Sequence, residues 1–200
     1  MSDKRSREIL DFWFGNLKSE TDYPPDKARM WFSGTDEVNE LIRSRFSDDL
    51  EKASAGHYDH WRRTPDECLA LILILDQFTR NLKSGAEAFA QDSKALALAL
   101  EAVSKEFDSA FYPLQKCFFY MPLEHSEDIE MQRKSLTLFT RLAESAPPAI
   151  EFPLAVMMDY AKRHHGIIAR FGRFPHRNTM LGRKSTPEET AFLKTPGASF

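Results

Sequence analysis

The sequence predicts an all-α protein of about eight helices arranged as antiparallel hairpins. Three observations carry that prediction. Apolar residues recur at three- and four-residue intervals along most of the 200 residues, and no segment alternates cleanly between apolar and polar as a half-buried strand does. Helix-start chemistry, a hydroxyl followed by proline and carboxylates, occurs at Thr64–Pro65–Asp66–Glu67 and again at Thr186–Pro187–Glu188–Glu189. Periodic segments of roughly 12–20 residues are joined by short connections, the pattern of helices that pack on their sequence neighbours. No internal period survives inspection, so a regular repeat array is not expected.

The elements follow in order. Ile9, Leu10, Trp13 and Phe14 form the first stripe, with Gly15 as its stop. Pro24 and Pro25 mark a loop before a short aromatic turn, Met30–Trp31–Phe32. Thr35 is placed to cap a long helix with Val38, Leu41, Ile42, Phe46, Leu50 and Ala53 as its apolar positions, closing at Gly56. The Thr64 start opens a helix that is apolar nearly all round at residues 69–75, which predicts the buried centre of the fold. Asp92 is placed to cap a helix through Ala95, Leu96, Ala99, Leu100 and Val103. An aromatic piece, residues 116–121, stops at Pro122, and Ser126 opens a helix through Ile129, Leu136, Phe139 and Leu142 that ends before Pro147–Pro148. The long helix after it puts Phe152, Val156, Tyr160 and Ile167 on its buried side. A brief helix from Thr186 is closed by Pro196–Gly197. The whole reads as a single helical domain, 1–200, with residues 179–200 as a C-terminal appendage packed on it.

Composition narrows the function classes. An apolar fraction of 42% and a charged fraction of 28% are ordinary for a globular chain long enough to bury a core. A net charge of −3 speaks against nucleic acid as a bulk electrostatic partner. Cys68 and Cys117 sit among apolar residues, as reduced core thiols do, and match no zinc module. The lead-in Met1–Ser2–Asp3–Lys4–Arg5 runs into a charged helix rather than an apolar signal core, and the longest apolar run is far short of a membrane span. A cytoplasmic protein with no membrane partner is expected. No phosphate loop, dinucleotide glycine fingerprint or nucleophile elbow occurs, so no cofactor is expected.

Three polar constellations stand out. Asp76–Gln77–Phe78–Thr79–Arg80–Asn81 follows directly on the apolar run, with Asp76 and Arg80 one turn apart on one face. It reads either as an internal ion pair with Asn81 as a stop, or as the floor of a cavity. Glu124 and His125 precede the Ser126 cap, in the kind of loop where ligand-binding side chains are held, or where a structural salt bridge forms. The segment Arg170–Phe171–Gly172–Arg173–Phe174–Pro175–His176–Arg177–Asn178 lies in a window, residues 162–184, that holds seven cations and no carboxylate. Such a window is answered by carboxylates from elsewhere, Glu124–Asp128 being the candidates, or by a bound anion gripped by arginine forks. His164 and His165 point about 100° apart on a helix, which makes a shared metal the weaker option.

Several of these segments resemble a known bacterial family, the domain of unknown function nine-two-four. The matching stretches are Leu10–Asp11–Phe12–Trp13–Phe14–Gly15, Leu75 to Asn81, Phe118 to Asp128, Ile167 to Asn178, and Leu181–Gly182–Arg183–Lys184–Ser185–Thr186–Pro187–Glu188–Glu189. The resemblance runs through nearly the whole chain and implies a helical fold similar to the tetratricopeptide-like superfamily. It implies no reaction, and fold alone does not imply peptide binding. This chain departs from the family at Thr79, where proline is usual, and at His164–His165–Gly166, where His-Arg-Asp is usual.

Two functions follow. In the first, a small anionic molecule, phosphorylated in one version, is held by Asp76, Gln77, Arg80, Asn81, His164, Arg170, Arg173, Arg177 and Asn178, while Glu124, His125 and His176 handle protons. In the second, the domain is a helical scaffold for a protein partner and the same motifs are a structural ion-pair network.

Overall fold

In the computed structural model, which describes residues 3–198, every regular element among the described residues is helical. Met1 and Ser2 of the lead-in, and the last two residues of the expected appendage, lie outside the described residues. Helix α1 (Lys4–Phe14) starts where the Asp3 carboxylate accepts the N–H groups of Arg5 and Ser6, and it ends at Gly15, whose φ of +69° suits glycine. Helix α2 (Pro25–Ser33) takes in the aromatic residues expected as a turn, because Pro25 is preset for a first helical position. Helix α3 (Asp36–Ser54) is capped by Thr35 as expected.

The central rod is α4 (Pro65–Ile72), a π-helical stretch (Leu73–Phe78) and α5 (Thr79–Leu82). Residues 68–76 are all buried, as the all-round apolar pattern requires. Thr64 stands at the start as expected, but its side chain accepts no N–H of the helix. Its hydroxyl donates to Glu67 Oε2 at 2.9 Å, while Glu67 Oε1 accepts the Asp3 N–H at 3.0 Å and ties the rod to the start of α1. Then come α6 (Asp92–Ser104), α7 (Pro113–Glu124), α8 (Ile129–Glu144), α9 (Glu151–Phe171) and α10 (Pro187–Phe192). With the rod taken as one, the described residues form nine helices, and the one beyond the expected eight is α2.

Consecutive helices α7, α8 and α9 pack on one another, whereas α1 meets α4 and α3 meets α5. The core centres on aromatic edges. Phe118 lies 5.1 Å from Trp31, 5.2 Å from Phe14 and 5.7 Å from Trp13 between ring centroids, and Trp31 Nε1 donates to the Trp13 carbonyl at 2.8 Å. A second, smaller cluster of Ile167, Ile168 and Phe174 lies with Ile129, Phe171 and Phe192.

Three expectations are corrected here. Pro122 does not stop α7; Leu123 and Glu124 are buried, and their packing carries the helix past the missing N–H. The cap of α8 is Asp128, whose Oδ1 accepts the Glu130 and Met131 N–H groups, so Ser126 merely accepts the Asp128 N–H and Glu124–His125 end a helix rather than lie in a loop. Phe152 is 78% exposed, because α9 buries Leu154, Met157, Ala161, His164 and Ile168, a stripe disguised in the sequence by its histidine. These placements predict opposite outcomes for two truncations measured by urea unfolding. Phe118→Ala loses about 3–5 kcal/mol, whereas Phe152→Ala stays within about 0.5 kcal/mol of the parent.

Candidate functional site

The rod widens to π-helical bonding over Leu73–Phe78 and carries Asp76 inside the widened turn. Such turns cost backbone geometry and recur at functional sites. The Thr79 hydroxyl donates to the Leu75 carbonyl at 2.8 Å, taking up an acceptor of the widened turn. Asp76 is 1% exposed, and a carboxylate in that position must be answered by cations and donors.

Four elements supply the answer. His125, at the C-terminal end of α7, places Nδ1 2.7 Å from Asp76 Oδ1, and Gln77 Nε2 donates to Oδ2 at 2.6 Å. Arg80 Nη1 sits 3.3 Å from Asp76 Oδ1 and donates to the Asp76 carbonyl at 2.7 Å. The same guanidinium meets Asp92 of α6 at 3.0 and 3.1 Å. Asp92 Oδ2 then accepts from Arg177 Nη1 at 3.2 Å, so an alternating chain of charge runs Asp76–Arg80–Asp92–Arg177. The Arg177 guanidinium lies between two rings, 4.5 Å from Phe89 and 4.5 Å from Phe174.

A second carboxylate–imidazole pair adjoins the first. His164 Nδ1 is 2.8 Å from Glu124 Oε1 and 2.9 Å from the Tyr160 carbonyl. The His125 and His164 rings are 6.1 Å apart, Phe174 meets His164 edge-on at 5.4 Å, and the His176 ring lies 5.5 Å from that of Phe174. No group of three His, Cys, Asp or Glu among the described residues is arranged to hold a metal ion.

The electrostatics define protonation states. Burial alone would push the Asp76 carboxyl up, but its His125 and Arg80 neighbours and the hydrogen bonds from His125 and Gln77 outweigh it and hold the group well below the usual range. Burial, followed by Arg80, pushes the His125 imidazole down against the pull of Asp76. The pair is therefore an ionised Asp76 accepting from a neutral His125, with the proton on Nδ1 and a lone pair on Nε2. Burial lowers Arg177 to about 10, partly offset by Asp92. Both cysteines are free and buried, and burial pushes the Cys68 thiol up to about 12, which removes it as a nucleophile. The cluster is not sealed: the Arg80, Asp92 and His125 side chains are 23%, 20% and 15% exposed.

Of the residues singled out in the sequence, Asp76, Gln77, Arg80, Glu124, His125, His164, His176 and Arg177 gather here. The others do not. Asn81 donates to Asn39 of α3 at 2.9 Å. Arg170 pairs with Glu188 at 2.8 Å, and Arg173 grips Glu189 with two bonds of 2.6 and 2.8 Å. Asn178 donates to Ser185 and Glu189. Of the acids 124–128, Glu127 meets an arginine of the basic window, through a two-pronged pair with Arg183 at 2.6 and 2.9 Å, and accepts the Phe174 N–H at 2.8 Å, while Glu124 meets His164. Asp92, Phe89, Glu127 and Arg183 were not singled out as site residues. Asp92 read as a helix cap, yet it is the first residue of α6, after Gln91, and its carboxylate serves the two arginines. Two grooves are centred on other residues. One, of about 360 Å³, runs between Leu50, Ser54, Thr79 and Lys83, and the other, of about 350 Å³, between Arg5, Arg45, Lys52 and Tyr58.

An all-α chain with paired carboxylate–imidazole groups beside a buried chain of alternating charge is the class defined by this geometry. The chain belongs to the family described as bacterial protein of unknown function (DUF924), whose family model matches residues 9–197. It is similar in structure to the protein of unknown function ATU0120 from Agrobacterium tumefaciens, with a TM-score of 0.79 and 34% identity over 95% of this chain and 97% of that one. No curated protein matches it. No helix among the described residues is long and apolar enough to cross a membrane.

The site dictates acid lability. Burial first, then Arg177, lowers His176 from 6.5 to about 4, so the unfolded chain binds the extra proton and stability falls as pH drops through that window. Glu189, pulled down to about 2 chiefly by Arg173, loses its contribution below the ordinary carboxylate range, with the same sign. Melting temperature is expected to fall steadily from pH 7 to pH 4, and His176→Asn to flatten the upper part of that fall; calorimetry across pH reads both.

Proposed function

We propose that this protein binds a small anionic molecule at the cluster and moves a proton on it, with Asp76 and His125 as the acid–base pair. The observation that carries this reading is the 2.7 Å contact between Asp76 Oδ1 and His125 Nδ1, which leaves Nε2 as a basic lone pair on a ring 15% exposed. Asp76 fixes the tautomer and orientation of the imidazole and stabilises its protonated form, and His125 Nε2 takes the proton. Arg177 supplies positive charge for the anion, and Glu124–His164 provides a neighbouring proton-handling pair. Arg170, Arg173 and Asn178 serve instead to hold the segment that carries Phe174 and Arg177.

One observation favours a second reading. The paired bonds of Arg173 with Glu189 and of Arg183 with Glu127 satisfy much of the basic segment internally, as a structural network in a helical scaffold for a protein partner would. Diethyl pyrocarbonate separates the two, because it modifies neutral imidazole nitrogens that solvent reaches. On the folded protein at pH 6, the first reading predicts rapid modification of His125 at Nε2, alongside exposed His57 and His60. Protection of His125 until the protein unfolds would leave only the structural network.

A further inference from the structure

The small-anion reading names no chemical class, and the surroundings of Arg177 supply one. Arg177 is 7% exposed, and its guanidinium carbon lies over the rings of Phe89 and Phe174, 4.5 Å from each centroid. The two rings occupy space above the guanidinium, so its hydrogen-bonding edges are what a polar ligand would meet. One nitrogen is taken, since Nη1 donates to Asp92 at 3.2 Å. Nε is buried and has no partner, and no hydrogen bond of Nη2, on the same edge, is found among the described residues. A buried guanidinium N–H lacking an acceptor is an uncommon feature of a folded protein and points to an acceptor that belongs there. We infer that the Nε–Nη2 edge of Arg177 is the docking point for the carboxylate of a small carboxylic acid. This inference rests on the reading of the cluster as a small-anion site.

Charge balance selects a carboxylate over a phosphate. The Nε–Nη2 edge presents two parallel, coplanar N–H groups, a fork that grips paired oxygens of either group. Arg80 and Arg177 are already met by Asp76 and Asp92, so the four groups sum to zero, and neighbouring Glu127 is met by Arg183. A monoanion supplies the acceptor that Nε lacks, whereas a dianion brings a second negative charge beside Asp92 into a cluster that is already neutral.

The test uses the wild-type protein and the Nε–H resonance of Arg177, assigned through bonds, in side-chain ¹H–¹⁵N NMR at pH 7 and fixed ionic strength. Sodium acetate and inorganic phosphate are titrated separately, with exposed Arg43 as the internal control for non-specific screening. The expected result is a saturable shift of Arg177 Nε–H with acetate, at an apparent Kd at least about tenfold below that for phosphate, with Arg43 unmoved. Tighter saturation by phosphate would overturn the carboxylate assignment and leave the small-anion reading standing. Shifts of Arg177 that merely track those of Arg43 with both salts would overturn docking at this edge, and the proton-transfer reading would still stand or fall separately on the diethyl pyrocarbonate reactivity of His125. An Arg177→Lys variant that keeps its melting temperature is expected to lose acetate protection against thermal unfolding, since it retains the charge without the fork.

Discussion

A single carboxylate, that of Asp76, sets the constraint to which the polar part of this fold answers. It sits on the most buried rod of the molecule, one residue past an unbroken apolar run, at 1% exposure. A charge in that position is tolerated only when neighbours supply opposite charge and donors together. Arg80 and His125 provide them, and each comes from a different place: Arg80 from one turn along the rod, His125 from the end of α7. Because Arg80 is itself largely buried, it needs more counter-charge than Asp76 offers, which recruits Asp92 from α6; Asp92 then holds Arg177 beyond α9. Satisfying one buried charge thus binds three otherwise separate segments to the rod.

That chain of charge also joins the two apolar clusters. At one end it rises out of the main core through Leu75 and Phe78, and at the other it meets Phe174 of the smaller cluster, whose ring covers one face of Arg177 and the edge of His164. Phe174 is in turn fixed through its backbone, its N–H donating to Glu127 and its carbonyl accepting from Arg183. The segment around α10 acts on the loop from the outer side, with Glu188 and Glu189 taking Arg170 and Arg173. Glu189 serves twice, since its Oε2 accepts both the Thr186 N–H of the capping box and Arg173 Nη2. The basic segment is therefore divided in its work: its outer arginines hold position, and Arg177 faces inward.

The parts of the structure readable in the sequence were those decided by neighbours in the chain. Gly15, Thr35 and the Thr186–Glu189 box mark helix ends because their chemistry acts within one turn, and they hold. The reading failed where distant packing overrides local preference, as in α2, in the helix running past Pro122, and at Phe152. The site divides in the same way. Asp76, Arg80, His125 and Arg177 were visible as polar residues out of place next to apolar runs or in a window without acids. Their connectors were not, since Asp92 meets Arg177 across 85 residues and Glu127 meets Arg183 across 56, separations to which no periodicity speaks.

The carboxyl ¹³C resonance of Asp76, followed from neutral to acid pH in the folded protein, bears most directly on this arrangement. An ionised Asp76 held by Arg80 and His125 predicts a shift that stays constant until the protein unfolds, with the His125 Nδ1–H directed at it. Titration of Asp76 at or above the ordinary carboxylate value, with the fold intact, would contradict it.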